Sequence, residues 1–566
     1  MQHARRGSIG LLLLLGSLYL GMLVGLMPRS APAANDSAPL IVRIRAASEA
    51  ERRRLVDTGI DLLEMLEGDD RFALVTQDQR DQLLAAGWDV RPDALQSALL
   101  HRSRLAAFDP SYRTVEQTEQ LLHDLAAQYP GLATLVDYGD SWAKTQPEGA
   151  PGYDLLALRI TNNAIAGPKP TFFLMAAIHA RELTTSELAT RFAQLLLESY
   201  GVDPDISWML DEHEVVIVPI VNPDGRKLAE QGFYQRKNLN DTAPGTCVPP
   251  PNEGSQEGVD LNRNSSYAWG TVNSPNLSAC SLVYPGPSAA SEPETAALQA
   301  LVSQIYGSRP SPGAGQAAAS DSDGLLITLH SYSNLVLWPW GHTSEQAPNA
   351  AELARLGQQF AALNGYTPYQ SINLYPTSGT TDDWSYATLN IASYTFEVGP
   401  TSEACGGFMP PYSCLDGGSG GSFWPRNLPA LLYALRVARA PYSQPAGPQI
   451  SIDSLVRSGS SLTVTVRLDG RGQSLQAAEI SLGGSAYRSI ASIALQPSDG
   501  TFNDPVEQAS ATFVTELGAG TYLLARGQTV DASWGPPDAD WLPTPQALPP
   551  PQHLLWLPVL RSAEAL

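Results

Sequence analysis

The sequence predicts an α/β chain: a doubly wound, mostly parallel mixed sheet with helices on both faces, with a small α/β unit before it and a β-sandwich after it. Three observations carry this. Between residues 108 and 440, near-continuous apolar runs alternate with helix-patterned segments, the signature of strands buried on both faces of a sheet. Between 38 and 105 a strand–helix–strand rhythm repeats on a smaller scale. Between 449 and 530, short alternating runs are separated by Gly and Ser turns.

In chain order, residues 1–34 read as a secretory signal: His3, Arg5 and Arg6, an apolar run over 9–27, then Ala31-Pro32-Ala33 as a cleavage site. The alternative is an uncleaved membrane anchor, because that run is long enough to span. Residues 35–105 hold the small α/β unit: a strand at LIVRIRA, an amphipathic helix over 48–66, a strand at FALVT, a helix over 77–87 and a strand at WDVRP. Residues 99–107, with Arg102 and Arg104, read as an exposed basic linker, either a processing point or an ordinary connection. The main domain, 106–442, has strand candidates at 171–178, 213–221, 324–329 and 393–398. The helix candidate over 185–200 puts Leu188, Phe192 and Leu195 on one face. A linker at 443–448 leads to the sandwich, 449–534, and a Pro-rich extended tail, 535–566.

Composition narrows the function. A net charge of −22 over 566 residues argues against a nucleic-acid surface, which needs clustered Lys and Arg. Export tolerates disulfides, and the four cysteines admit three pairings. Neighbour pairing, Cys247 with Cys280 and Cys405 with Cys414, is preferred. No CxxC occurs, which argues against a cysteine zinc knuckle.

The chemistry starts at AAIHARELTTSEL, residues 176–188, where an apolar strand opens into a helix and carries His179 and Glu182. The pair fits two ligands of a zinc ion, although a satisfied core histidine is the commoner reading of such a pair alone. A third ligand must come from elsewhere. Of the eight histidines, His3, His101, His123, His213 and His553 sit in unsuitable contexts, which leaves His330 and His342. His330 closes the strand GLLITLH, as His179 follows TFFLMAAI. The carboxyl ends of parallel strands are where α/β sheets bind ligands. Glu397, ending SYTFE, is a buried-strand carboxylate that needs a task or a partner.

With these residues in place the chain resembles the zinc metallocarboxypeptidases of the carboxypeptidase A and B type, especially their secreted bacterial relatives, over roughly 108–440. The motifs occur in the family's order: HARE (179–182), NPDG (222–225), YQRK (234–237), DLNRN (260–264), HSYS (330–333), LYPTSGTTDDWSY (374–386) and TFE (395–397). The resemblance implies one Zn²⁺ per catalytic domain, held by His179, Glu182 and His330. It implies Glu397 as general base toward the attacking water and Arg236 as oxyanion donor. Asn262 and Arg263 would clamp the substrate's free carboxylate, and Tyr375 would close over it. Arg181 and Tyr332 correspond to outer subsite residues, and Asp260 to the acid that orients His179. Asp382, seven residues after Tyr375, falls at the floor of the side-chain pocket; an acid there implies preference for C-terminal Lys or Arg with mixed tolerance. Partners would be peptides and proteins with a free C-terminus. The unit at 35–105 occupies the place of an inhibitory pro-segment, so the mature chain would begin near 105–109. A Cys247–Cys280 bridge would brace the loop holding Arg236 and Arg263, and 241–258 would be an exposed loop near the cleft. Two rival functions make opposite demands: a cell-wall peptide amidase would lack the carboxylate clamp, and a binding protein would lack a ligand or the base.

Overall fold

The computed structural model describes residues 39–543, except the segments 106–107, 148–150, 243–246, 248–250, 252–254 and 483–490 and positions 310 and 401. The expected signal with its membrane-anchor alternative, residues 544–566 of the tail, the junction at 106–107 and parts of the 241–258 loop lie outside the described residues. Among the described residues, no helix is long and apolar enough to cross a membrane.

The N-terminal unit runs β1 (Leu40–Arg45), α1 (Glu49–Val56), β2 (Asp61–Glu67), β3 (Asp70–Val75), α2 (Gln77–Ala85), β4 (Val90–Pro92) and α3 (Ala94–Leu105). Its antiparallel sheet has the order β2-β3-β1-β4. A Ser48–Glu51 capping box starts α1. Two expectations are corrected here. The helix expected over 48–66 stops at Val56, Gly59 takes φ +70°, and the rest pairs with β3 as β2. The apolar pattern misleads because β2 has no solvent face over its first half: Asp61, Leu62, Leu63 and Glu64 are all buried. The basic linker expected at 99–107 is helical through Leu105, with Leu99 and Leu100 buried.

The main domain continues with α4 (Val115–Gln128), β5 (Ala133–Asp140), α5 (Trp142–Thr145), β6 (Asp154–Ile160), β7 (Thr171–Ala176), α6 (Leu183–Ser199), α7 (Pro204–Glu212), β8 (Glu214–Val218) and α8 (Pro223–Glu230). Then follow α9 (Pro293–Tyr306), β9 (Leu325–His330), β10 (Leu335–Trp338), α10 (Ala350–Asn364), β11 (Thr367–Gln370), α11 (Thr381–Leu389), β12 (Ala392–Glu397) and α12 (Phe423–Val437). The eight strands form one mixed sheet in the order β11-β10-β12-β9-β7-β8-β6-β5. The central run β12-β9-β7-β8 is parallel. Alternate residues of β7 enter two cores: Phe172, Leu174 and Ala176 join α6 and α12 on one face, Phe173 and Met175 join α9 on the other. That is the doubly wound arrangement expected. β7 is flanked by β8 on one side and β9 on the other, so the chain reverses direction across the sheet at β7/β9, the position where open α/β sheets leave a crevice.

Both expected disulfide pairings are present, Cys247–Cys280 and Cys405–Cys414. The linker at 443–448 contains a short 3₁₀ turn, Gln444–Ala446, with Gln444 and Pro445 buried. Beyond it, β13 (Gln449–Ser458), β14 (Ser461–Asp469), β15 (Leu475–Leu482), β16 (Ala491–Ala494), β17 (Gln496–Pro497), β18 (Val506–Val514), β19 (Tyr522–Thr529) and β20 (Asp538–Trp541) make two four-stranded antiparallel sheets around one core. β20 pairs with β19, so the sandwich runs past the expected limit of 534, and the first part of the tail is a strand. Asp538 at its start shares Arg436 of α12 with Asp205 of α7, which locks the sandwich to the main domain.

Packing also traps acids. Glu294, in the first turn of α9, is fully buried and accepts from the Trp142 amide (2.7 Å) and Asn238 Nδ2 (3.2 Å). Burial pushes its pKa up to about 8; the amides of Trp142 and Glu294 pull down, while Asp224 and Glu292 add to the rise. A folded pKa above the unfolded 4.5 stabilises the fold fully below pH 4.5, and that contribution is lost as pH rises through 8. Glu294→Gln should therefore lose less melting temperature than the wild type between about pH 5 and about pH 9. Equal losses in thermal melts of the two proteins would contradict this.

Candidate metal centre and cleft

The HARE motif is the turn between β7 and α6. Ala177 takes φ 50°, its N–H donates to Thr185 Oγ1 (3.1 Å), and the Thr185 hydroxyl donates to the Glu182 carbonyl (2.8 Å). Glu182 is the N-cap residue of α6. The NPDG motif supports this turn from behind: Asn222 caps α8 through Gly225 N (3.0 Å) and donates to the carbonyls of Ile178 (3.4 Å) and Arg236 (3.5 Å).

His330 ends β9, next to β7, and is the direct register partner of Glu397 on β12. Sheet register thus brings His179, Glu182, His330 and Glu397 to one edge. His179 Nδ1 lies 2.7 Å from Glu182 Oε1, and His330 Nδ1 lies 3.3 Å from Glu182 Oε2 and 3.2 Å from His179 Nδ1. The Ser331 amide donates to Glu182 Oε2 (3.2 Å). Ligand atoms of the three residues all fall within 4.8 Å of one another, and all three residues are buried. Two convergent imidazole nitrogens and one carboxylate are the donor set zinc takes in open sites. The far nitrogen of His179, Nε2, meets Asp260 Oδ1 at 3.2 Å, the partner a ligating histidine requires.

Charge around these residues is unbalanced toward acid. Burial opposes ionisation of Glu182, but His179 and His330 outweigh it and hold its pKa well below the usual range. Burial likewise opposes Asp260, and Arg236, Arg263 and His179 outweigh it. At Glu397 the balance goes the other way: burial, then the charges of Glu64 and Glu182, outweigh Arg236 and Arg263 and raise its pKa well above the usual range. A dication among Glu182, Glu397 and Glu64 answers that imbalance, so the residues fit the group.

Arg236 is fully buried. Its Nε donates to Asp260 Oδ2 (3.0 Å), its amide donates to Gln256 Oε1 (2.9 Å), and its carbonyl accepts from Ala180 (3.2 Å). Its Nη1 has no hydrogen-bond partner among the described residues and lies 3.8 Å from Glu64. The Cys247–Cys280 bridge lies beside this segment, since the Gln256 amide donates to Cys280 O (3.0 Å). In DLNRN, Asp260 Oδ1 accepts from the Asn262 amide (3.0 Å), Asn262 Oδ1 accepts from Thr381 N (3.1 Å), and Arg263 Nη1 donates to the Asn262 carbonyl (2.8 Å). Gly379 passes so close that a Cβ there would meet the Arg263 carbonyl oxygen at 2.2 Å, and its φ is +67°. That explains a glycine at this point of LYPTSGTTDDWSY. Asp382 is buried; Oδ1 accepts from Asp383 N (3.0 Å) and Oδ2 from Thr395 Oγ1 (3.2 Å). Thr395 and Glu397 share one face of β12, so Asp382 lies toward the side that carries Glu397.

The residues through which the N-terminal unit covers the cleft were not named by the sequence. β2 of the N-terminal unit lies across it: Asp61 takes Arg181 through both guanidinium nitrogens (2.8 and 3.1 Å), and Tyr375 OH donates to Glu64 Oε1 (3.1 Å) and Leu62 O (3.4 Å). Phe408 lies 3.9 Å under Arg181 and packs edge-on to Tyr332 (5.0 Å). No local sequence signal marks Asp61 and Glu64, because their partners lie more than 100 residues away. His342, which the histidine count left over, is apart from the metal ligands and pairs with Asp383 instead (2.8 Å).

The zinc carboxypeptidase family model matches residues 118–417, more than half of the chain. The chain belongs to the zinc carboxypeptidase family. A zinc carboxypeptidase of Saccharothrix mutabilis subsp. capreolus is 29% identical over 395 residues, covering 65% of this chain and 83% of that protein. Zinc carboxypeptidase A 1 of Drosophila melanogaster is 31% identical over 302 residues, 51% of this chain and 62% of that protein. Carboxypeptidase A1 of Rattus norvegicus is 29% identical over 312 residues, 54% of this chain and 65% of that protein. The chain thus spans somewhat under two thirds of these animal relatives. The crystal structure of carboxypeptidase A from Helicoverpa armigera superposes with a TM-score of 0.54 at 22% identity, over 70% of this chain and 97% of that one, and is similar in fold. Thrombin activatable fibrinolysis inhibitor is similar at a TM-score of 0.51 and 19% identity, over 71% and 98%.

Proposed function

We propose that this protein is an exported zinc carboxypeptidase that removes the C-terminal residue of peptides and proteins, favouring Lys and Arg. The observation that carries this is the meeting of three metal donors, a buried base and a carboxylate clamp at one sheet edge. A zinc ion held by His179, Glu182 and His330 would supply Lewis-acid polarisation of the scissile carbonyl and of the attacking water. Glu397, with its raised proton affinity, takes the water's proton and delivers it to the leaving amine. Arg236, pinned by Asp260 and with Nη1 making no hydrogen bond among the described residues, donates to the oxyanion. Arg263 and Asn262 hold the terminal carboxylate, and an internal peptide leaves that buried cation unpaired, which is how chain ends are selected. Tyr375 closes over the substrate once β2 is gone, and Arg181 with Tyr332 meets residues upstream. The intact clamp opposes the cell-wall amidase, and the full donor set with Glu397 opposes a binding protein. The N-terminal unit, 35–105, is the pro-segment in this reading, and 106–442 is the catalytic domain.

Asp382 carries the specificity. Among the described residues no Lys or Arg pairs with it, so a basic substrate side chain would supply the missing cation. Asp382→Ile should lower kcat/KM for a peptide ending in Arg on the order of a hundredfold while sparing one ending in Phe. Full retention of Arg release would remove this assignment.

A further inference from the structure

We propose that His342 is a positioning residue for the pocket carboxylate Asp382, and that its protonation weakens selection for a basic C-terminal residue. The inference rests on the reading of Asp382 given above. His342 Nδ1 lies 2.8 Å from Asp383 Oδ2, and both Asp383 oxygens accept from the Gly341 amide (3.0 and 3.1 Å). Asp383 is thereby fixed, and its own N–H donates to Asp382 Oδ1. Thr395 holds the other Asp382 oxygen. The chain from imidazole to pocket is therefore two hydrogen bonds long, through one residue.

The electrostatics give this chain a consequence. Asp382 and Asp383 are consecutive acids in the first turn of α11, both buried. Among the described residues the only ion-pair partner of either is His342. Burial and the neighbouring Asp382 both work against the charge on Asp383, and His342 works for it. His342 itself is partly exposed, its side chain at 15%. The other groups facing it are Tyr267, edge-on at 5.3 Å, Tyr386 behind Trp340, and Arg53 of the N-terminal unit, whose Nη2 donates to the His342 carbonyl (3.3 Å). Arg53 leaves with the pro-segment in the proposed maturation. What remains is a switch between two charge states. With His342 protonated, Asp383 is neutralised and the pocket floor carries one net negative charge. With His342 neutral it carries two, and a guanidinium or ammonium is held more tightly.

The test is the ratio of kcat/KM for two blocked peptides that differ only in a C-terminal Arg or Phe. It is followed across pH in zinc-loaded enzyme obtained from the full chain by limited proteolysis. The ratio cancels every titration the two substrates share, including those of the base, the metal site and the clamp. It should rise about fivefold between about pH 5.5 and about pH 8 in the wild type, and less than about twofold in His342→Gln. A flat wild-type ratio, which needs no variant to read, overturns the proposal. So does a rise that persists in His342→Gln. If Arg is not preferred at any pH, and Asp382→Ala has the wild-type ratio, the pocket reading fails together with this one; a preference that depends on Asp382 but not on pH fails this one alone.

Discussion

Replacing Glu397 by Gln should lower kcat by about three orders of magnitude or more while the protein keeps its zinc. The glutamate is not in the donor set, yet register places it beside His330, one of the three donors. Its neighbourhood is what a general base needs: burial and two further acids raise its affinity for a proton, so it can take one from water and still release it to an amine. Gln keeps the shape and cannot accept the proton as a base. The loss should fall on kcat with little change in KM, since ground-state contacts to the substrate are untouched. Metal content measured on the same preparation separates this from loss of the site. Activity within about tenfold of wild type, with zinc bound, would mean that another group is the base.

The second large effect concerns the covered cleft. The intact chain should turn over at less than about 1% of the rate reached after cleavage between the N-terminal unit and the main domain. β2 occupies what a substrate would use: Glu64 sits before Tyr375 and Arg236, and Asp61 takes both terminal nitrogens of Arg181. Buried acids of this kind are held by their partners, and removing one side leaves a buried charge unpaired, at a cost of about 3–5 kcal/mol. The double variant Asp61→Ala, Glu64→Ala should therefore loosen the cover and raise the activity of the uncleaved chain at least about tenfold. After cleavage the variant and the wild type should be indistinguishable, because both altered positions leave with the N-terminal unit. Initial rates before and after limited proteolysis decide the matter. An uncleaved wild type as active as the cleaved enzyme would remove the inhibitory role.

The legible and illegible parts of this protein divide by where the physical cause lies. β7, β8, β9 and β12 were readable because a strand covered on both faces must be apolar throughout, and that pattern is local. Their carboxyl ends then located His179, His330 and Glu397 before any geometry was known. The motifs NPDG and DLNRN were recognisable, but the tasks of Asn222 and Gly379, holding the His179 turn and admitting the Arg263 carbonyl, emerge only in three dimensions. The helix expected over 48–66 ends early because its second half, with Asp61 and Glu64, pairs as a strand instead. They are dry, and the partners that make this tolerable lie far along the chain. β20 escaped notice because DADW among prolines has no strand alternation; it forms because β19 offers an edge and Arg436 an ion pair. His342 was visible only as a leftover histidine, since its partner Asp383 is an ordinary second acid until the fold brings them within 2.8 Å.

The most direct test of the central claim is release of the C-terminal residue from a blocked peptide ending in Arg, set against the same peptide with its terminus amidated, with and without a zinc chelator. The account predicts rapid release from the free acid, release from the amide lower by about a thousandfold or more, and loss of both on chelation with recovery on added zinc. Equal release from acid and amide, or release that survives removal of the metal, would contradict it.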